Sequence, residues 1–181
     1  KKMAEAASMM ANVDYDMQLI SGIYEIIPNR FGAGIIQKNF EILGEIEYTD
    51  YEIDYANTIL KESGKELKGL DGKIKPIRPT IPAQGGSTDV GDVSQVVPVV
   101  RLSTTTAAKD GPWHSWAVVA CTGMSIGHKG MIYASKALAM TMLDLYQNPK
   151  FIDGVKKEYI ERIGDRVYVP QIPPGPPKLV D

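Results

Sequence analysis

Val96-Val97-Pro98-Val99-Val100-Arg101-Leu102 is the stretch on which the fold reading turns. β-branched side chains fill it and turn-forming residues bound it, so it reads as a short buried strand even though Pro98 removes one ladder donor. Ser103–Ala108 continues it. Ala117–Cys121 is a second apolar run, too short for its pattern to decide between strand and helix. Lys129–Tyr146 then carries Ile132, Ala137, Leu138, Met142, Leu143 and Leu145 with almost no polar face. A helix that is apolar nearly all round predicts burial against a sheet or between layers. Strands alternating with such helices predict a layered α/β domain.

Outward from this centre, the chain divides by composition and period. Met3, Ala6, Ala7 and Met10 mark an opening amphipathic helix closed by Asn12, and Tyr15–Ile27 alternates in part like a half-buried strand stopped by Pro28. This first unit, residues 1–28, reads as the end of a second, smaller α+β domain. Residues 29–164 form the main domain. Within it Ile35, Ile36, Phe40 and Leu43 stripe one helix ended by Gly44. Thr49 with Glu52 three residues on is a capping box, opening a helix through Tyr55, Ala56, Ile59 and Leu60. Lys65–Gln84, with Pro76, Pro79 and Pro82, predicts an extended surface connection. Asn148-Pro149 breaks the long helix, and Phe151, Val155, Tyr159 and Ile163 give a last one up to Gly164. Residues 165–181 are a proline-rich tail that cannot hold regular ladder structure.

The 181 residues, 44% hydrophobic and 23% charged, suffice for one good core. A net charge of -2 with no basic stripe excludes nucleic acid and anionic membrane as partners on electrostatic grounds. No apolar run approaches the ~18 residues of a membrane span. The single cysteine, Cys121, rules out an internal disulfide and predicts a reducing, cytoplasmic setting. The helical pattern is already under way at Lys1, without a signal-peptide pattern or an initiator methionine, which predicts a chain cut from something longer.

Residues 85–136 concentrate both histidines, the cysteine and both tryptophans, so the chemistry is sought there. In Gly85-Gly86-Ser87-Thr88-Asp89 two glycines precede two hydroxyls and a carboxylate. Backbone there can approach a ligand closely, while short polar side chains donate and accept hydrogen bonds. The competing reading is a turn that caps the next helix. A nucleotide-binding loop is a poor match, since neither a Walker pattern nor GxGxxG occurs. His114, in Pro112-Trp113-His114-Ser115-Trp116, is either a packed histidine or a metal ligand or acid–base group. His128, near the start of the long helix, sits where backbone N–H groups disfavour imidazolium. Two histidines do not complete a zinc site, and Cys121 in an apolar run reads as core.

The runs GGSTDVGDVS, HSW and GMSIGHKGMIYASKALA, with AEAASMM and DYDMQLISGIYEIIPNR at the start, resemble the C-terminal part of the zinc-dependent aminoacylase and carboxypeptidase metallopeptidase family, in its p-aminobenzoyl-glutamate-cleaving branch. The resemblance implies an amidohydrolase of N-acyl or N-aroyl amino acids with two metal ions, usually zinc, in an α/β domain. It implies that residues 1–28 end a lid through which members form homodimers. It assigns the last metal ligand to His114, with His128 as the alternative, and the substrate-lining loop to Gly86, Ser87, Thr88 and Asp89. Asn29 and Arg30, at the lid hinge, become candidates for a substrate carboxylate. The family's other ligands and its general base lie in an N-terminal half that this sequence lacks, so the chain alone is expected to be inactive. The rival expectation is a non-catalytic binding or assembly subunit that keeps the fold.

Overall fold

The computed structural model describes residues 1–78 and 86–176. Gly85, the end of the Lys65–Gln84 connection and the last five residues of the tail lie outside them. Seven helices follow one another among the described residues: α1 (Lys2–Ala11), α2 (Arg30–Leu43), α3 (Asp50–Glu62), α4 (Val90–Val96), α5 (Trp116–Thr122), α6 (Ser125–Gln147) and α7 (Pro149–Ile163).

The expected α/β sheet is absent, and no described residue is in a strand. The main correction falls on Val96–Leu102. Val96 is the last residue of α4, and Val97 turns the chain into extended backbone at φ -138° and ψ 152°. From there to Ala108 the chain stays without regular structure. A strand exists through its ladder, and no neighbouring segment among the described residues supplies one. The stretch is instead laid across helices. Val100 packs where α2 has only Gly32, and the Thr105 carbonyl lies where α6 has only Gly130. Tyr15–Ile27 is corrected the same way, because its later part is held by side chains of α4 rather than by a backbone ladder. Tyr24 N–H donates to Asp92 Oδ2 at 3.2 Å and Ile27 N–H to Ser94 Oγ at 2.9 Å.

Where caps and helical period guide the reading, the helices follow it. In α3 Thr49 Oγ1 accepts from Glu52 N–H while the Glu52 carboxylate accepts from Thr49 N–H, the reciprocal pair of a capping box. Gly44, at φ 79°, ends α2, and Asn12, at φ 52°, ends α1. Ala117–Cys121 resolves as helix, because Ser115 Oγ accepts from Ala117 N–H at 3.3 Å and fixes a helical start. Pro149 occupies the first turn of α7, where its missing N–H costs nothing.

The core joins α3, α5 and the beginning of α6. Ala56, Leu60, Cys121 and Ile126 are fully buried there beside Ala108 and Ala117. A second contact sets α2 across α6 and α7. Asn39, 3% exposed on α2, donates from Nδ2 to Thr141 Oγ1 at 3.0 Å and to Asp144 Oδ2 at 2.9 Å. α6 is not enclosed as its composition predicts. Met131, Ile132, Leu138, Met142 and Leu143 are exposed along it. α1 buries none of its residues.

Candidate functional site

The glycine–hydroxyl loop leads directly into α4. Gly86 has φ 104°, a region glycine enters without a Cβ clash, and both Gly86 and Ser87 are exposed. Thr88 starts the turn: its carbonyl accepts from Gly91 N–H at 3.0 Å and its Oγ1 from Val90 N–H at 3.4 Å. Asp89 stands at the N-cap without a side-chain capping bond, so its exposed carboxylate projects from the helix start.

α4 is short, and its position comes from the chain on either side. Asp92 Oδ1 accepts from Tyr168 Oη at 3.0 Å, and Gln95 Nε2 donates to the Glu25 carbonyl at 3.0 Å. Tyr159 Oη donates to the Gln95 carbonyl at 3.0 Å, and Arg166 Nη1 donates to Gln95 Oε1 at 3.2 Å. Tyr24 Oη in turn donates to the Val169 carbonyl at 3.0 Å, so the tail and the 24–27 segment clamp α4 together. Burial, then the bond to Asp92, pushes the Tyr168 phenol up. Gly91 lets α4 approach this closely, since a Cβ there would overlap the Tyr24 carbonyl.

Asn29 and Arg30 begin α2 a few residues beyond that clamp. Asn29 is 8% exposed and its amide is committed at both ends. Its Oδ1 caps α2 by accepting from Gly32 N–H at 2.8 Å, and its Nδ2 donates to the Val155 carbonyl at 2.8 Å. Glu158 of α7 caps the same turn by accepting from Phe31 N–H at 2.7 Å. Burial pushes the Glu158 carboxyl up, and the α2 backbone N–H groups with Arg162 outweigh it and hold it down. Arg30 is exposed, and its guanidinium donates to the Arg78 carbonyl.

The histidines lie elsewhere, at the starts of α5 and α6. His114 is exposed at φ 56°, immediately before the Ser115 N-cap. The αL region is uncommon outside glycine, and histidine is one of the side chains that enters it most readily. Ser115 Oγ donates to the Pro112 carbonyl at 2.6 Å, closing the turn that presents the imidazole. His128 is exposed in the first turn of α6, its N–H on the Met124 carbonyl at 3.1 Å. Cys121 is fully buried, and burial pushes its thiol up, which opposes the thiolate a metal needs. Among the described residues no three His, Cys, Asp or Glu side chains gather to hold a metal ion. Zinc therefore does not fit the described residues by themselves.

Two features escape the sequence reading. One is the Glu52–Ser125–Lys129 cluster, which joins α3 to the first turns of α6. Its signal is the capping-box glutamate, whose second role depends on a helix more than 70 residues away. The other is a cleft lined by Lys73, Arg78 and Ser103, in a stretch that the sequence marks only as a connection and a strand end.

No protein-family model matches the chain, and no solved structure matches it. Among curated proteins it is similar to a subunit of p-aminobenzoyl-glutamate hydrolase from Escherichia coli (strain K12), at 25% identity over a 197-residue alignment. That alignment takes in 95% of this chain and 41% of the relative, so the chain spans less than half the length of the hydrolase it resembles.

Proposed function

We propose that this chain contributes the C-terminal portion of an amidohydrolase that cleaves N-acyl or N-aroyl amino acids of the p-aminobenzoyl-glutamate type. The observation that carries the reading is the similarity to the p-aminobenzoyl-glutamate hydrolase of E. coli along 95% of the chain. Gly86, Ser87, Thr88 and Asp89 would line the substrate, with an exposed backbone turn and short polar side chains available for its amide and carboxylate. Asn29 and Arg30, at the start of α2, are the residues we assign to a substrate carboxylate, Arg30 through its exposed guanidinium. His114, or His128 in its place, is the imidazole this chain would lend to a zinc site whose other ligands lie outside the described residues. Dimerisation through residues 1–28 and a cytoplasmic setting belong to the same proposal, supported by the unburied α1 and the unpaired Cys121. No described helix is long and apolar enough to cross a membrane.

The test is made on the native polypeptide isolated from its source. Release of p-aminobenzoate from p-aminobenzoyl-glutamate, abolished by a chelator and restored by zinc, is the expected result. A metal-replete native protein that releases none, and cleaves no other N-acyl or N-aroyl amino acid, would refute the proposal and leave the non-catalytic assembly role.

A further inference from the structure

A cleft of about 330 Å³ lies among α2, α6 and the two extended segments around residues 71–78 and 103–105. Its aromatic lining is Phe40 and Tyr133, both half-buried, stacked with centroids 5.4 Å apart and 23° between ring planes. Ile46 and Ile74 add apolar surface. The charged lining is lopsided. Asp71 is already matched, taking Lys75 at 3.0 Å and Lys109 at 3.3 Å on its Oδ2. Lys73 and Arg78 also line the cleft, and among the described residues neither pairs with a carboxylate. A chain of net charge -2 thus places two exposed cations, unmatched among the described residues, at the rim of one cleft.

The hydroxyls sort in the same way. Thr105 Oγ1 donates to the Asp71 carbonyl, Thr104 Oγ1 to the Gly130 carbonyl at 3.2 Å and Tyr133 Oη to the Gly44 carbonyl at 2.7 Å, so these three are committed to the fold. Ser103 is exposed and makes no such bond among the described residues. What remains available is a guanidinium, an ammonium and one hydroxyl beside a ring pair. Guanidinium matches a carboxylate bidentately, and a flat apolar body stacks on aromatic rings. The volume is at the small end of ligand pockets, which run from about 300 to 1,000 Å³.

We propose that this cleft is a binding site for a small aromatic carboxylate, its ring on Phe40 and Tyr133 and its carboxylate on Arg78, Lys73 and Ser103. The ligand class rests on the amide-cleavage reading, whose product p-aminobenzoate belongs to it, but the residues are separate: the cleft uses none of Gly86–Asp89, His114 or His128, so the Lys73/Arg78 variant tells the two apart.

The test is calorimetric titration of the full 181-residue chain with benzoate, with its neutral isostere benzamide and with inorganic phosphate. Saturable one-to-one binding of benzoate is expected, with benzamide and phosphate each weaker by roughly tenfold or more, the ratio that one lost charged contact or one lost ring contact produces. Lys73→Gln/Arg78→Gln should weaken benzoate to the same extent with an unchanged circular dichroism spectrum. Lys150→Gln/Lys156→Gln, which removes the same charge from exposed α7 positions, should leave it unaltered. No saturation in the folded chain, or equal affinity in the Lys73/Arg78 variant, would overturn the proposal. Phosphate binding as tightly as benzoate would overturn it too, by showing an anion site without an aromatic seat.

Discussion

Lys129 Nζ of α6 lies 2.6 Å from Glu52 Oε2 of α3, and that contact ties the capping box of one helix to the first turns of another. Glu52 is 4% exposed in its side chain and satisfies both oxygens: Ser125 Oγ donates to Oε1 at 2.6 Å and Thr49 N–H to Oε2 at 2.8 Å. Lys129 also donates to the Glu47 carbonyl at 2.9 Å and stands 5.5 Å from the Tyr48 ring centroid. Lys129→Met leaves a buried carboxylate with one donor fewer, while the lysine's own partial exposure limits the loss. A cost of about 1–3 kcal/mol is expected in urea unfolding. Glu52→Gln combined with Lys129→Met should recover part of it, because the uncompensated charge is then gone.

The same carboxylate sets a pH dependence. Burial pushes Glu52 up, but donation from Lys129, Ser125 and Thr49 outweighs it and holds the group at about 2, below its ordinary 4.5. A folded pKa below the unfolded one stabilises above 4.5, and that contribution is lost as pH falls toward 2. Thermal melts from pH 6 down to about 2 should therefore fall more steeply for the wild type than for Glu52→Gln. Some acid loss should survive in the variant, since Asp71, hydrogen-bonded by Lys75 and Lys109, is also held at about 2.

Asn29→Ala removes a cap and a cross-helix donor together. The N-cap is worth about 1 kcal/mol and the buried bond to the Val155 carbonyl about 1 kcal/mol more, so a loss of about 2 kcal/mol is expected in chemical denaturation. Asn29→Asp should keep the cap yet be no milder than Asn29→Ala, because its second carboxylate oxygen would face the Val155 carbonyl in a buried site.

Gly91→Ala would drive a Cβ into the Tyr24 carbonyl and lift α4 from the segment before Asn29. Overpacking of this kind costs about 1–3 kcal/mol. The accompanying signature should be faster proteolysis of the tail, since Tyr168 and Asp92 would part. Gly86→Ala meets no neighbouring atom among the described residues but is strained by its φ of 104°, so it should perturb the loop without freeing the tail.

What is legible in the sequence follows the range of the force involved. Thr49 with Glu52 and Pro149 after Asn148 act within a turn, and α3 and α7 begin where those signals stand, whereas Ala117–Cys121 stays undecided until the structure shows the Ser115 cap. Val97–Leu102 fails as a strand because β-branching describes a side chain that suits a sheet, while a sheet needs a second backbone to pair with. Tyr15–Ile27 fails alike, its alternation left largely in solvent. Of the candidate site, the exposure of Gly86, Ser87 and Asp89 follows from glycine and hydroxyl chemistry. The clamp of Asp92 by Tyr168 does not, since it joins residues 76 apart in sequence. The resemblance makes Asn29 a candidate for a substrate carboxylate, while its cap and its bond to α7 show only in three dimensions.

The central claim is that this chain lends an imidazole to amide hydrolysis, and His114→Gly tests it most directly. Glycine accepts the φ of 56° without strain, so the variant should keep the α5 turn and melt at or slightly above the wild-type temperature. Measured in the native-length protein with p-aminobenzoyl-glutamate, the account predicts a loss of activity of at least about 10- to 100-fold, the scale seen when even the outer partners of a metal site are removed. Unchanged hydrolysis in a folded His114→Gly protein, with His128→Gly equally active, would contradict it.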